Sequence, residues 1–455
     1  MKWFAKLLFV FILMSLANIY RAVAQDLTFT TNTISVGGEW STTVVATDIN
    51  GDGKLDLISA NYSASSPYTL TVLTNNGFGV FGSNATLNVD DLPLSIAAAD
   101  INGDGKVDLI VANSDLVGPS TLTVFTNNGN GLFGSNATVM VNGVADCVIP
   151  ADVNGDGKMD LVVANFGNNT LMVFTNNGNG VFGSNATLNV GNGPLVVLAA
   201  DINGNGKLDL VSANSDLGGP GTLSVFTNNG CGVFGSNATL NVGEHPVSVV
   251  AADLSGDGKM DLISVNIGDN TVTIWTNNGT GGFGSNESLS MPDGAVSVVA
   301  ADMNGDGKAD LICANSNTNA LTVFTNNGSG GFGLNATLNV GYESSVIAAD
   351  LTGDGKLDLV GASPFENTLT VLINTSISPA PISKPLLTIN RQGDVARVSW
   401  PSASAGWSLQ QNPDLTTTYW GPSGYSGYTI ADDGTNKSLI IPPQPGNLYF
   451  RLLHP

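Results

Sequence analysis

Basic residues are almost missing from this chain. Of 455 residues, 15 are Lys or Arg against 37 Asp or Glu; between Gln25 and Ser376 the basic complement is Lys54, Lys106, Lys158, Lys207, Lys259, Lys308 and Lys356. Seven lysines against 33 carboxylates leave that stretch at −26. Such a surface repels phosphate backbones and anionic headgroups, so neither nucleic acid nor direct membrane insertion is expected. Histidine is scarcer still, with His245 alone before the tail. A Ser-His-Asp triad or a histidine metal cluster is therefore not expected in 25–376. Cys147, Cys231 and Cys313 hold unrelated places without redox or zinc spacing, and read as small apolar fillers in strands or turns. Long apolar runs are absent after the first, Leu7 to about Leu16, which follows Lys2 and Lys6 and precedes Ala22-Val23-Ala24. That pattern reads as a signal peptide over 1–24, too short to span a bilayer. Export to periplasm, cell surface or medium follows as an expectation.

What the chain does have is repetition. A nine-residue loop, D-x-[NST]-G-[DN]-G-K-x-D, begins at Asp48, Asp100, Asp152, Asp201, Asp253, Asp302 and Asp350, each time followed by an apolar β-branched run. A period near fifty residues marks a repeat architecture. The fifth copy reads PVSVVAAD, LSGDGKMD, LISVN, a variable loop, TVTIWTNNG, a Gly-rich turn and FGSNESLSM. These short Val-, Ile- and Thr-rich pieces bounded by Gly, Asn and Asp are strands, four to a repeat, and Asn and Gly at this density oppose helix. Small residues such as Ala97-Ala98-Ala99 suit a strand crowded near a central axis. The last repeat stops near Asn374 without its final strand, while Thr28–Gly37 resembles Phe81–Val89 and precedes the first loop. An N-terminal strand completing the last blade closes a ring and removes its open edges. The expected fold is all-β: a seven-bladed β-propeller over 25–376, a Pro-rich linker at 377–385, and a small C-terminal β-sandwich-like domain at 386–455.

The acidic loop has the chemistry of a calcium site. Ca²⁺ takes about six to eight oxygens, so alternate residues must aim at one point. In the first loop these are Asp48, Asn50, Asp52 and Asp56, with the carbonyl of Lys54 a fifth; the lysine side chain is expected in solvent. The same reading gives Asp100, Asn102, Asp104, Lys106 and Asp108, then Asp152, Asn154, Asp156, Lys158 and Asp160. It continues with Asp253, Ser255, Asp257, Lys259 and Asp261, then Asp302, Asn304, Asp306, Lys308 and Asp310, and ends with Asp350, Thr352, Asp354, Lys356 and Asp358. The fourth loop departs: Asp201, Asn203, Asn205, Lys207 and Asp209 have an amide in place of the third carboxylate, which predicts the weakest of up to seven Ca²⁺ sites. An EF-hand needs Glu at position 12, where these loops carry Ser59, Val111, Val163, Ser212, Ser264, Cys313 and Gly361.

The Phe-Gly turns (Phe81-Gly82, Phe133-Gly134, Phe182-Gly183, Phe234-Gly235, Phe283-Gly284, Phe332-Gly333), the acidic loop and the D-L-[IV] after it resemble FG-GAP or VCBS repeats. These are the calcium-binding blades of integrin alpha subunits and of many secreted bacterial proteins. The resemblance covers about 27–376; in place of Gly-Ala-Pro most copies carry Ala-Asn, with Gly361-Ala362-Ser363-Pro364 the nearest remnant.

In a four-stranded meander the calcium loop and the Asn-Asn-Gly-x-Gly turn share one face, and both are nearly invariant among the copies. The opposite face carries the loops that differ, such as Tyr62 to Tyr68, Asp115 to Ser120, Asp216 to Thr222 and Gly243–Pro246. Variable loops on a rigid scaffold are where recognition is expected. The Asn-Ala-Thr triplets at Asn84, Asn136, Asn185, Asn237 and Asn335 match a glycosylation sequon, but their fixed place points to the fold. Carboxylate pairs such as Asp115 with Asp216, or Glu244 beside His245, are the acid-base candidates, and a calcium-loaded polysaccharide lyase or hydrolase is the enzyme alternative. The preferred reading is a secreted, monomeric binding or adhesion module for an extracellular protein or carbohydrate, without catalytic residues or an organic cofactor. In the tail, Trp400, Trp407, Trp420, Tyr425 and Tyr428 form either a small core or a carbohydrate platform.

Overall fold

The computed structural model describes residues 27–376, apart from 38–39, 64–66, 116–117, 217–218 and 292–293. Of the tail it describes 387–392, 395–401, 408–412, 421–422, 431–432, 436–441 and 449–453. The signal peptide and the linker expected from the sequence lie outside these residues. The chain divides into two compact units, Met1–Ile377 and Ser378–Pro455.

The first unit is a seven-bladed propeller. Blade 1 is an antiparallel meander of Trp40–Thr47, Asp56–Tyr62, Tyr68–Asn75 and Phe81–Val89. Blades 2 to 6 repeat it over residues 92–141, 145–189, 194–244, 246–290 and 295–339. In blade 7, Ser345–Ala349, Asp358–Ser363 and Thr368–Asn374 are completed by Phe29–Ser35, paired in register from Phe29 opposite Asn374 to Ser35 opposite Thr368. The N-terminal strand thus supplies the missing edge. It is one residue leaner than its counterparts: the bulge that the outer strand of blade 1 carries at Val72/Leu73 is absent.

The innermost strands touch in sequence around the axis, and that of blade 7 touches that of blade 1, so the ring is closed. Small side chains permit this crowding; Ala46, Ala98, Ala348 and Ala349 help line an axial cavity of about 340 Å³. Hydrophobic packing is organised by interface: seven buried clusters each join two neighbouring blades, the last bringing Val44 and Leu57 of blade 1 against Leu351 and Val360 of blade 7. The leucine after each loop's ninth aspartate, Leu57 to Leu359, is fully buried, a contribution of about 2 kcal/mol apiece.

The second unit holds two small antiparallel sheets. One contains Thr388–Gln392, Val395–Pro401, Asn436–Ile441 and Ala431–Asp432, the other Gly421–Pro422, Ser408–Asn412 and Tyr449–Leu453. Trp400 is buried here with Val398 and Leu439, so it belongs to a core rather than to a surface platform. Trp407, Trp420, Tyr425 and Tyr428 lie outside the described residues.

Candidate functional site

All seven acidic loops adopt one conformation, and it follows from their glycines. Gly51 and Gly53 have φ of 75° and 82°, a region that side chains disfavour, and the chain turns tightly enough for alternate residues to face inward. Asp48 then accepts bonds from the N–H groups of Gly51, Asp52 and Gly53 at 2.8–3.2 Å, Asn50 from Asp52 at 2.9 Å, and Asp52 from Lys54 at 3.0 Å. Oxygen is the only donor type these side chains present.

The ninth aspartate has a second role that its spacing does not reveal. Asp56 is fully buried, its Oδ2 accepting from Ile49 N at 3.2 Å and its Oδ1 from Asn75 N at 2.7 Å. Asp108, Asp160, Asp209, Asp261, Asp310 and Asp358 do the same. Burial raises each of these carboxyls above the usual range, the two backbone bonds pulling it back in part; Asp310 reaches about 6.

The first asparagine of each Asn-Asn-Gly turn completes the arrangement. Asn127 Nδ2 donates to Val107 O of its own loop and to Ile49 O of the preceding blade, at 2.9 and 2.7 Å. All seven blades make this tie, at 2.6–3.1 Å, and Asn75 makes it across the closure to Leu351 O. The sequon asparagines Asn84, Asn185 and Asn237 likewise donate to the next blade's turn, at Gly131 O, Gly232 O and Gly281 O.

The loop lysines do not extend into solvent as expected. In six loops Nζ lies 2.9–3.8 Å from the fifth-position carboxylate, and in blades 1 and 2 the stem of Lys54 and Lys106 packs over Gly77 and Gly129 of the neighbouring turn. The fourth loop differs as its sequence implies. With Asn205 in place of a carboxylate, Lys207 has no ion pair at the fifth position and donates to Asn229 O, as Lys308 also does to Asn327 O, and an open cavity of about 530 Å³ lies beside it, lined by Asn203, Asn205, Asn229, Asn237 and Phe234.

The loop donors fit a hard divalent cation by chemistry. Positions 1, 3, 5 and 9 carry side-chain oxygens, and in the seventh loop Thr352 Oγ1, at position 3, is buried without a hydrogen-bond partner. As placed, the carboxylates are spent on the loop's own N–H groups, and among the described residues no three Asp, Glu, His or Cys side chains are gathered around one point.

The opposite face is irregular. Asp115 and Asp216 sit on loops of blades 2 and 4 with blade 3 between, and Asp216 accepts from Asn192 at 3.2 Å. His245, in the left-handed region at φ 52°, has Nδ1 3.2 Å from the buried hydroxyl of Ser215, a contact not foreseen from the sequence. At blade 7 a buried polar site is rebuilt. Where blade 1 has Ser41, Ser59 and Asn61 in a hydrogen-bonded group, blade 7 has Glu343, Gly361 and Ser363. Glu343 is fully buried, accepts from Ser363 Oγ at 2.8 Å and occupies space against Gly361. Burial, with the charge of Glu366, pushes its carboxyl up to about 7. Sequence reasoning also missed an aromatic corner: Trp40, Tyr62 and Tyr68 on blade 1, Tyr342 and Phe365 on blade 7. Of the cysteines, Cys313 is buried, Cys147 half-buried and Cys231 exposed in a turn; all are free thiols.

Comparison with known proteins agrees with this architecture. The FG-GAP-like repeat profile matches six overlapping stretches, 48–111, 101–163, 152–212, 203–264, 255–313 and 302–361. No curated protein sequence matches the chain. Among solved structures, BBS1N, crystallised in complex with ARL6DN, is 15% identical with a TM-score of 0.55, covering 78% of this chain and 98% of its own. A protein from Lactobacillus plantarum is 13% identical with a TM-score of 0.51, covering 86% and 96%. At such identities the likeness is one of fold.

Proposed function

The chain belongs to the FG-GAP-like repeat family, and from that premise we propose that it is an exported calcium-binding propeller acting as a non-enzymatic binding or adhesion module. The observation that carries the reading is the contrast between an oxygen-lined loop built alike in every blade and an opposite face whose loops all differ. In each loop the side chains at positions 1, 3, 5 and 9 would hold Ca²⁺, with the lysine carbonyl as a further donor. The bound ion would neutralise carboxylates that now crowd one another and tie the first and second strands of the blade together.

Recognition of an extracellular protein or carbohydrate is assigned to the variable face, where unlike loops stand on a rigid ring. The similarly folded BBS1N was crystallised with a protein partner, which accords with use of a propeller as a docking scaffold. His245, the propeller's single histidine, is engaged by a buried serine, an arrangement suited to loop anchoring.

Calorimetric titration of chelator-stripped mature protein with Ca²⁺, with thermal melts alongside, tests the proposal. Six or seven ions per chain and a large rise in melting temperature are expected. One or two ions with little stabilisation would overturn it.

A further inference from the structure

We propose that the seam between blades 1 and 7 on the variable face is a binding site for an arginine side chain of a basic peptide segment, formed by the Trp40–Tyr62–Tyr68 stack, the Tyr342–Phe365 pair and nearby carboxylates. The inference rests on that face being the recognition surface, and adds the place and the ligand chemistry.

Composition singles out this corner. Between Gln25 and Ser376 tyrosine occurs three times, at Tyr62, Tyr68 and Tyr342, all here, and one of two tryptophans joins them. The positions equivalent to Trp40 and Tyr342 in the other blades are Leu92, Val144, Gly193, His245 and Gly294. The rings are ordered against each other: Trp40 and Tyr62 stack at 4.6 Å and 12°, Tyr62 and Tyr68 at 5.6 Å and 13°, while Tyr342 meets Phe365 edge-on at 4.6 Å. Ser344 Oγ donates to Ser41 O and Thr42 O, which brings the two groups to either side of one short seam.

The rings are not the seam's core. Val44, Leu57, Leu351 and Val360 already supply buried packing between these blades, whereas the stacked rings stay half-exposed and Phe365 is 65% exposed. Among the described residues of the propeller, the charge around them has one sign. Tyr68 lies opposite Val89, so Asp90 and Asp91 follow at the outer end of the stack, toward blade 2, and Glu366 adjoins Phe365 on blade 7. Asp91 is crowded by further negative charge, its carboxyl raised by burial and then by Asp115 and Asp90. Every lysine of the propeller sits in an acidic loop on the other face. A guanidinium is the group that uses both features, stacking its plane on Trp or Tyr and forking its N–H groups to a carboxylate. A neutral sugar would use the rings alone, and an anionic one would be repelled.

The test titrates the mature protein calorimetrically with a short arginine-containing peptide, its citrulline counterpart and a neutral cello-oligosaccharide, at low and physiological salt. The arginine peptide is expected to bind at least about tenfold tighter than the citrulline one and to weaken with salt. Trp40→Leu, and separately the surface double variant Asp90→Asn/Glu366→Gln, should each lower affinity about tenfold, with Trp275→Phe on blade 5 neutral. Equal binding of citrulline, binding of the neutral sugar alone, or no binding overturns the inference. If folded seam variants bind arginine undiminished but Glu244→Gln/Asp269→Asn does not, the seam falls and the variable face stands. If only Phe78→Ser, on the loop face, abolishes binding, both fall.

Discussion

The two faces of the propeller are built from the same strands and held to opposite standards. On the loop face, each blade's turn asparagine reaches a carbonyl of the blade before it, and each ninth aspartate receives two backbone N–H groups. Seven copies of one hydrogen-bond set leave little room for variation, because any change strands a buried partner. On the variable face the cross-blade ties are local, such as Thr42 to Pro93 O and Ser344 to Ser41 O, and side chains differ from blade to blade. Repetition in this chain therefore marks where blades hold one another, and irregularity marks where the surface is released from that duty.

Breaking the repeated face should cost most. Asp108→Ala removes the acceptor of two buried N–H groups and should destabilise by about 3 kcal/mol in chemical denaturation, with or without calcium. Asn127→Ala, which strands Ile49 O and Val107 O, should cost about 2 kcal/mol by the same measurement.

On the irregular face Glu343→Gln should act in the opposite direction, with an effect that grows as pH rises from about 4.5 to about 7. The folded-state pKa, about 7, exceeds the ordinary 4.5, so the folded protein holds this proton more tightly than the unfolded chain. Stability from this group is full below 4.5 and is lost as pH rises through about 7. The variant, neutral throughout, should be more stable than wild type by about 3 kcal/mol at pH 8 and close to it at pH 4, read from paired denaturation curves. An unchanged difference across that range would show that Glu343 ionises freely.

The smallest effect is expected from Asn205→Asp, which makes the fourth loop like the other six. Without calcium it should change stability by less than about 0.5 kcal/mol; with calcium it should strengthen the weakest step of the titration. A fourth loop that already binds as tightly as its neighbours would erase the one distinction the sequence draws among them.

Much of this was legible before any coordinates. The fifty-residue period, the strand-like pieces and the truncated last repeat specify a closed seven-bladed ring, since each is a local pattern. What depends on chain segments distant in sequence was not. The turn asparagine reads as turn chemistry until Ile49 O is brought to Asn127 from the previous blade. The lysines read as solvent-bound because their pairing with the fifth-position carboxylate depends on how tightly the loop curls. That blade 3 stands between the blades of Asp115 and Asp216 was not legible, because loop spacing does not tell which blades adjoin. The exchange of Ser41, Ser59 and Asn61 for Glu343, Gly361 and Ser363 is visible only when strands are set in register. The Trp40–Tyr62–Tyr68 stack likewise exists only once the strands of blade 1 are set side by side.

The strand Phe29–Ser35 gives the ring an order of events. It is among the first of the propeller's residues made and pairs with Thr368–Asn374, among the last, with Thr28 and Ser376 bonded across 348 positions of sequence. During synthesis this segment has no partner until every blade exists, so it must travel as an unpaired edge while six complete blades stack beside it. Closing so long a loop adds little entropy beyond a short one, because the penalty grows only with the logarithm of length. The last event in folding is thus the capture of the propeller's first strand, and a cut that frees these few residues would leave blade 7 one strand short where the ring closes.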